Sequence, residues 1–416
     1  SQIEEFEELL QLNEDFWGKF KDMPSMALAT EKEDVLMILQ NFALIRKRHN
    51  WLFQLLKATV HRTLDAWTAP ELAALCQSFG ELLFLHEDLL LAMAPQVLAT
   101  ASSCNAAEIC QLLDAYASRR CYVQCVVEEL ECQAIRRIDE FAPWQLCLLA
   151  SSCARLSLHG ELLDHVADQL AQVTIPEHHA EGMTPDLSSR DLTMLAHAYA
   201  RLHSPRTPEM LSLVSRASQL VMRDFTAKEL QVLTVSLARA GAREDELLEA
   251  ISTQARRRLA QFPAEALALM LRGMAFFGRT DGLFTEALAQ LPRVLPTCRP
   301  ADVATLLCAF AQAEVRSTFL FDLVTPFILE KAPMFTGADW LLALRAYARS
   351  KYVDPMFLSA LALHLKVRTL SPEQRCACLA YLRELRQAGA DAALEGMEAQ
   401  LVTEGEWLPE SVSPCP

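Results

Sequence analysis

RDLTMLAHAYARL (190–202) and ADVATLLCAFAQA (301–313) carry one pattern, which recurs at PELAALCQSFGEL (70–82), AEICQLLDAYASR (107–119) and ADWLLALRAYARS (338–350). Each copy has an apolar residue one, four and eight places after a common start, and a small residue at the ninth. The eighth-place residues are Phe42, Phe79, Tyr116, Cys153, Tyr199, Leu237, Met274, Phe310, Tyr347 and Tyr381, at intervals of 37, 37, 37, 46, 38, 37, 36, 37 and 34. The next residue is Ala at 43, 117, 154, 200, 238, 275, 311 and 348 and Gly at 80; Leu382 departs from the rule. Apolar places at this spacing form one stripe on a helix, and a small residue beside the stripe lets a neighbouring helix approach.

About eighteen residues after each common start a second apolar stripe opens, marked by Leu52, Leu89, Val126, Leu163, Leu247, Phe284, Leu320 and Phe357. Polar turns such as AGAREDE (240–246) and FGRTDG (277–282) lie between the stripes, where Gly and Asp end one helix and cap the next. Each unit is therefore a pair of antiparallel helices that cannot bury both faces alone, and stacking such pairs makes a solenoid. The expected fold is all-α: an α-α superhelix of about ten helix-turn-helix repeats over residues 33–386. Residues 1–32 read as an N-terminal cap built on one amphipathic helix, Ile3–Phe20. Residues 387–416 read as an acidic helix end and a Pro-rich tail, TEGEWLPESVSPCP. Nine extra residues around IPEHHAEGMTPDLSS (175–189) read as a loop inserted on one face.

Composition agrees with that architecture. Of 416 residues, 52% are apolar and only 12 are Gly, which excludes global disorder and favours helix. No apolar run reaches the roughly 18 residues of a membrane-spanning helix, and the opening SQIEEFEELLQ is acidic and is not itself a targeting peptide. The net charge of −15 argues against capture of nucleic acid by bulk attraction, but residues 1–32 and 387–416 together carry −11 of it. The repeats themselves are nearly neutral. The chain has 13 Cys, seven of them between Cys104 and Cys153, with no Cys-x-x-Cys pair. That usage reads as buried or interfacial free thiols in a reducing compartment such as the cytosol or an organelle matrix, rather than a disulfide framework or zinc site.

The first helices DLTMLAHAYARL (191–202), ELQVLTVSLARA (229–240) and DVATLLCAFAQA (302–313) resemble those of heptatricopeptide-repeat proteins and their octotricopeptide and FAST-kinase-like relatives. The period is longer than the roughly 33–34 residues of ankyrin and tetratricopeptide repeats. This resemblance spans about residues 33–386. It implies a protein of organelle gene expression that binds organellar RNA or sits on an organellar ribosome, in the mitochondrion before the plastid. Many members of these families end in a small α/β RAP domain. None is recognisable after Arg386, which turns the expectation from nuclease-like activity towards a scaffold or ribosome-associated role.

Candidate sites follow from the repeat register. The tenth place is Arg at 155, 201, 239, 349 and 383, a recurrence expected to form a partial ladder along one edge. Guanidinium groups grip phosphates bidentately, though a cation near a helix C-terminus is also favoured by the helix dipole alone. The clusters Arg46-Lys47-Arg48 and Arg119-Arg120 occupy the turn inside a unit; Arg136-Arg137 and Arg256-Arg257-Arg258 lie near the end of a second helix. All are candidates for RNA contact, and all are equally readable as solvated helix ends. Tyr116, Tyr199, Tyr347 and Tyr381 sit in the apolar stripe and are read as core rather than base-stacking residues. His178, His179 and Glu181 are read as solvated loop residues rather than a metal site. No phosphate-binding loop, dinucleotide fingerprint or hydrolase motif occurs, so no catalytic residue, cofactor or small-molecule substrate is expected. The expected function is a non-catalytic adaptor of a mitochondrial ribosome that contacts ribosomal RNA and neighbouring proteins. The alternatives are a protein-only scaffold of another mitochondrial assembly and a free organellar RNA-binding or processing factor.

Overall fold

The computed structural model describes residues 32–173, 187–280, 282–315, 317–365, 369–389 and 401. The expected capping helix at Ile3–Phe20, the inserted loop with His178, His179 and Glu181, and the Pro-rich tail lie outside the described residues. The chain forms two compact units, Ser1–Val214 and Ser215–Pro416.

The first unit contains α1 (Lys32–Leu44), α2 (Asn50–Thr63), α3 (Ala69–Glu81), α4 (Glu87–Thr100), α5 (Ala106–Ser118), α6 (Gln124–Arg136), α7 (Pro143–Leu156), α8 (Glu161–Ala171) and α9 (Ser189–Leu202). The division between units falls within α10 (Thr207–Val221). The second unit continues with α11 (Ala227–Ala240), α12 (Asp245–Arg257), α13 (Ala264–Phe276), α14 (Gly282–Val294), α15 (Pro300–Gln312), α16 (Thr318–Lys331), α17 (Gly337–Arg349), α18 (Pro355–His364) and α19 (Pro372–Gln387). No strand occurs among the described residues. Odd-numbered helices are the first helices of the repeats and even-numbered helices the second.

Within each unit, helices of one kind pack in series. In the first unit α1 packs on α3, α3 on α5, α5 on α7 and α7 on α9, while α2 packs on α4, α4 on α6 and α6 on α8. In the second, α11 packs on α13, α13 on α15, α15 on α17 and α17 on α19, with α12 on α14 and α16 on α18. This two-layered serial packing is that of an α-α superhelix, as the periodicity predicts.

The start of each first helix is set by three residues in fixed register. A buried apolar residue stands just before the cap: Trp67, Cys104, Phe141, Leu187, Phe225, Phe262, Cys298, Phe335 and Leu370. A polar cap follows in most repeats, and an acid or Gln stands three places further on. Thr68 with Glu71, Asn105 with Glu108, Ser188 with Asp191, Thr226 with Glu229, Thr336 with Asp339 and Ser371 with Gln374 all close capping boxes. Each such cap satisfies donors that the helix itself leaves open, worth about 1 kcal/mol. The apolar residue before the cap reaches back to the first stripe position, as where the rings of Phe335 and Trp340 lie 5.0 Å apart. The common start of the sequence pattern is thus the residue that closes the capping box, three places after the cap.

First helices end in a second recurrent device. In the repeats of Phe42, Phe79, Tyr116, Cys153, Leu237, Met274, Phe310 and Tyr347 the eighth-place carbonyl accepts from the N–H five residues on and the ninth-place carbonyl from the N–H three residues on, whereas Tyr199 O accepts from Thr207 Oγ1 at 3.0 Å. Examples are Cys121 N to Tyr116 O at 2.9 Å with Arg120 N to Ala117 O at 3.1 Å, and Tyr352 N to Tyr347 O at 3.0 Å with Lys351 N to Ala348 O at 2.9 Å. This is a Schellman closure, which needs a left-handed residue. The seat is filled by Gly241 and Gly278, but also by Arg46, Leu83, Arg120, Ser157, His203, Glu314 and Lys351, all at positive φ.

The core lies between the two helix layers. All eight second-stripe markers are buried, as are the eighth-place residues from Phe42 to Tyr347. Tyr381 departs from the core reading: it is only half-buried, on α19, for which no following first helix is described. The buried tyrosines also hydrogen-bond. Tyr116 Oη donates to Leu90 O at 2.8 Å, Tyr199 Oη to Leu163 O at 2.7 Å, and Tyr347 Oη lies 2.8 Å from Thr325 Oγ1. The phenol thereby keeps a partner inside the core.

The tightest helix approach at a glycine lies at the seventh place, two residues before the position expected from the pattern. A Cβ added at Gly273 would stand 2.6 Å from Thr234 Cγ2, whereas one added at ninth-place Gly80 would meet nothing within 4 Å. Ser78, Ala115, Ser152, Ala198, Ser236, Ala309 and Ala346 fill the same buried seventh place.

Candidate nucleic-acid interface

Because first helices stack side by side, the turns that follow them lie along one edge of each unit, and the turns that follow second helices lie along the other. The fifteen cations singled out by sequence divide between these edges, and hydrogen bonding separates them further.

On the edge following second helices, side chains of one repeat complete the carbonyl ends of the repeat before it. Arg137 Nη2 donates to Ser102 O at 3.5 Å and Arg258 Nη2 to Arg223 O at 2.6 Å. Gln96 Nε2 does the same for Trp67 O at 2.7 Å, Arg293 Nη2 for Leu259 O at 3.3 Å and Lys331 Nζ for Cys298 O at 3.5 Å. Arg256 Nε donates to Glu286 Oε1 of the next second helix at 2.8 Å. Arg137, Arg256 and Arg258 are therefore engaged in joining repeats. Arg136 and Arg257 beside them are exposed.

The tenth-place arginines differ among themselves. Arg155 Nη1 donates to Asp114 Oδ1 at 2.8 Å, binding α7 to α5. Arg201 is half-buried, and Arg239, Arg349 and Arg383 are exposed. In the second unit the neighbouring turns also hold Arg279, whose guanidinium reaches Glu249 Oε2 at 2.9 Å and Asp245 O at 2.9 Å.

The first-to-second-helix edge of the first three repeats gathers cations that have no intramolecular partner among the described residues. Arg46, Lys47 and Arg48 follow α1 and are exposed. Arg119 and Arg120 follow α5; Arg120 is exposed, and Arg119 is half-buried with its Nε lacking a hydrogen-bond partner. Between them lies the turn after α3, which carries Glu81, Glu87 and Asp88, of which Asp88 is paired with a cation. Glu81 accepts from Gln77 at 3.0 Å, and Lys57 pairs with Asp88 and holds its carboxyl below the ordinary range.

Aromatic and aliphatic side chains interleave with these cations. Trp51 is 40% exposed and Tyr122 54% exposed, and Leu44 at the end of α1 and Leu83 in the turn after α3 are exposed as well. Neither Trp51 nor Tyr122 belongs to the periodic sequence pattern. The signal that finds them is register: Trp51 stands one place before the second stripe, and Tyr122 one place after the residue that closes the turn. Phe319 and Met356 occupy the Trp51 place in the second unit and are likewise exposed.

The buried cysteines behave as apolar packing, while Cys125 is exposed and Cys132 and Cys376 are half-buried. Burial pushes the Cys104 thiol up to about 11 and those of Cys76, Cys298 and Cys378 up to about 12, so they stay protonated. Among the described residues no group of three His, Cys, Asp or Glu side chains is placed to hold a metal ion. No described helix is long and apolar enough to cross a membrane.

Residues 25–197 match the family described as RNA-editing substrate-binding complex 6 protein, a stretch that contains Arg46–Arg48, Trp51, Arg119, Arg120 and Tyr122. No curated protein matches the chain. Among solved structures, a chain from a homology model of the full-length AP-3 complex in an intermediate open conformation is 11% identical, with 94% of this chain and 80% of that one covered at a TM-score of 0.28. The family match covers less than half of the chain, and over that stretch the chain is similar to an RNA-editing-associated family.

Proposed function

We propose that this protein is a non-catalytic helical-repeat adaptor of a mitochondrial RNA-processing assembly. It holds RNA through phosphate contacts along the first-to-second-helix edge of its N-terminal repeats and holds protein subunits through its remaining surface. The observation that carries this reading is the set of exposed cations at Arg46, Lys47, Arg48 and Arg120 that have no partner among the described residues. Several arginines elsewhere are used internally, as at Arg155, Arg206, Arg256, Arg258 and Arg279, while Arg136, Arg239, Arg257, Arg349 and Arg383 are exposed singly or beside paired neighbours. A folded chain with an overall charge of −15 that leaves these cations solvated on one edge presents a local positive strip to a polyanion. The match of residues 25–197 to a family named for RNA-editing substrate binding supports the same reading.

Anisotropy of a labelled RNA oligonucleotide measured across a salt series tests it. Binding is expected to weaken steeply with salt, and Arg46→Ala/Lys47→Ala/Arg48→Ala to reduce the slope by about 0.7 for each phosphate that is no longer neutralised. Absence of binding at low salt refutes RNA contact by the isolated protein. Residence on a mitochondrial ribosome, with ribosomal RNA as the ligand, is the second form of this adaptor role. Sedimentation of the native protein with ribosomes, or apart from them, decides between the two assemblies.

A further inference from the structure

We infer that the first-to-second-helix edge of the first three repeats takes single-stranded RNA, with bases stacked on Trp51 and Tyr122 while Arg46, Lys47, Arg48 and Arg120 hold the phosphates. This rests on the RNA contact proposed above and specifies the form of RNA it requires.

Two aromatic rings of these repeats, those of Trp51 and Tyr122, lie outside the core. The other large aromatics of these repeats are in the core or packed on it: Phe42, Phe53, Phe79 and Phe84 form one chain of ring contacts 5.4 to 6.0 Å apart, and Trp67 and Tyr116 are buried. Trp51 and Tyr122 stand outside that chain. Both are nevertheless held on rigid backbone. Trp51 lies in the first turn of α2, which His49 caps by accepting from Leu52 N at 3.3 Å, and the His49 ring meets the indole edge-on. Tyr122 directly follows Cys121, the buried residue whose N–H closes the turn on Tyr116 O. A ring presented from a fixed turn loses little freedom when a base lies on it.

The surroundings identify the occupant. Arg46-Lys47-Arg48 precede Trp51, and Arg119-Arg120 precede Tyr122, so each ring has on its N-terminal side cations that no described residue pairs. Alternation of aromatic faces with a basic track is the arrangement that suits single strands, whose bases are splayed and whose phosphates follow the groove. A duplex hides its base faces and offers its backbone, 2′-hydroxyls and base edges instead. A protein partner seated on Leu44, Leu83, Trp51 and Tyr122 would have to bury Lys47, a residue type depleted from the centres of protein interfaces. The two rings are two repeats apart, roughly 20 Å at helix spacings of 8–10 Å, a distance that a short run of nucleotides bridges.

The test compares wild type, Trp51→Ala, Tyr122→Ala and Trp51→Phe for a fluorescein-labelled RNA without internal pairing and for the same strand annealed to its complement. Wild type is expected to prefer the single strand. Each alanine variant is expected to lose about fivefold or more in single-strand affinity, the low end of base–aromatic stacking, with the salt slope unchanged and duplex binding unaffected. Trp51→Phe, which keeps an aromatic face, is expected to recover most of the loss. Equal binding of both RNA forms, with the alanine variants indistinguishable from wild type, overturns the stacking inference and leaves phosphate contact standing. Failure of wild type to bind either RNA at low salt overturns the underlying reading instead.

Discussion

The left-handed seat that ends each first helix provides a measurement with a defined sign. In the second unit it is occupied by Gly241 and Gly278 in two repeats and by Lys351 in another. The φ values are 65°, 69° and 52°, so the three backbones are alike. A Cβ added at Gly241 or Gly278 meets nothing within 4 Å, which removes any packing contribution from neighbours. What remains is the intrinsic cost of an L-residue in this region, about 1–2 kcal/mol, reduced by the roughly 0.5–1 kcal/mol of backbone freedom that glycine loses on folding. Gly241→Ala and Gly278→Ala are therefore expected to destabilise by about 1 kcal/mol, and Lys351→Gly to stabilise by a similar or slightly smaller amount. Urea unfolding followed by circular dichroism measures both from the shift in midpoint at constant slope. Neutral glycine replacements combined with a destabilising Lys351→Gly would show that Lys351 is held by its side chain and that the closure carries no strain.

Three further outcomes are expected. Gly273→Ala gains about 1 kcal/mol of helix propensity but drives a Cβ to 2.6 Å from Thr234 Cγ2; overpacking of about 1–3 kcal/mol wins. Thermal unfolding should fall, and Thr234→Ser, which removes that methyl, should rescue it in a double-mutant cycle. Tyr199→Phe deletes the 2.7 Å bond to Leu163 O at a buried site and should cost about 1 kcal/mol in chemical denaturation, whereas the half-buried Tyr381→Phe should be neutral. The hydrogen bond from Lys57 holds the Asp88 carboxyl below its ordinary value. The stability this pair adds is full above the ordinary Asp pKa and is lost as pH falls through the lowered one; Lys57→Met should flatten that acidic arm of a stability–pH profile.

The repeat period, the two stripes and the turn inside each unit are legible in the residues because each depends on local spacing alone. The start signal is equally local but precedes the stripe: Phe335-Thr336 followed by Asp339, or Phe225-Thr226 followed by Glu229, is a staple and capping box in phase with it. The close helix approach falls two positions from the expected ninth place, because which face of a helix meets its neighbour depends on how the helices are rotated. The cations are harder to read. Arg137, Arg155 and Arg258 look the same in sequence as Arg48 and Arg120, yet their partners stand 41 or fewer residues away, in the preceding repeat. Trp51 and Tyr122 carry no periodic signal, because each lies beside a repeated position rather than on one.

The carbonyl caps that second helices and their ends supply between repeats point one way among the described residues. Gln96, Arg137, Gln254, Arg258, Arg293 and Lys331 each finish a helix end or turn that lies earlier in the chain. Lys32 reaches forward instead, to Ala66 O, but it stands on a first helix. Loss of a repeat from the front of either unit would leave the second helix that follows with only a solvated side chain, whereas loss from the back would leave a main-chain oxygen without its donor. Each unit thus has a polarity of completion that coincides with the direction of synthesis: a repeat emerging from the ribosome supplies the missing hydrogen bond of the one already made.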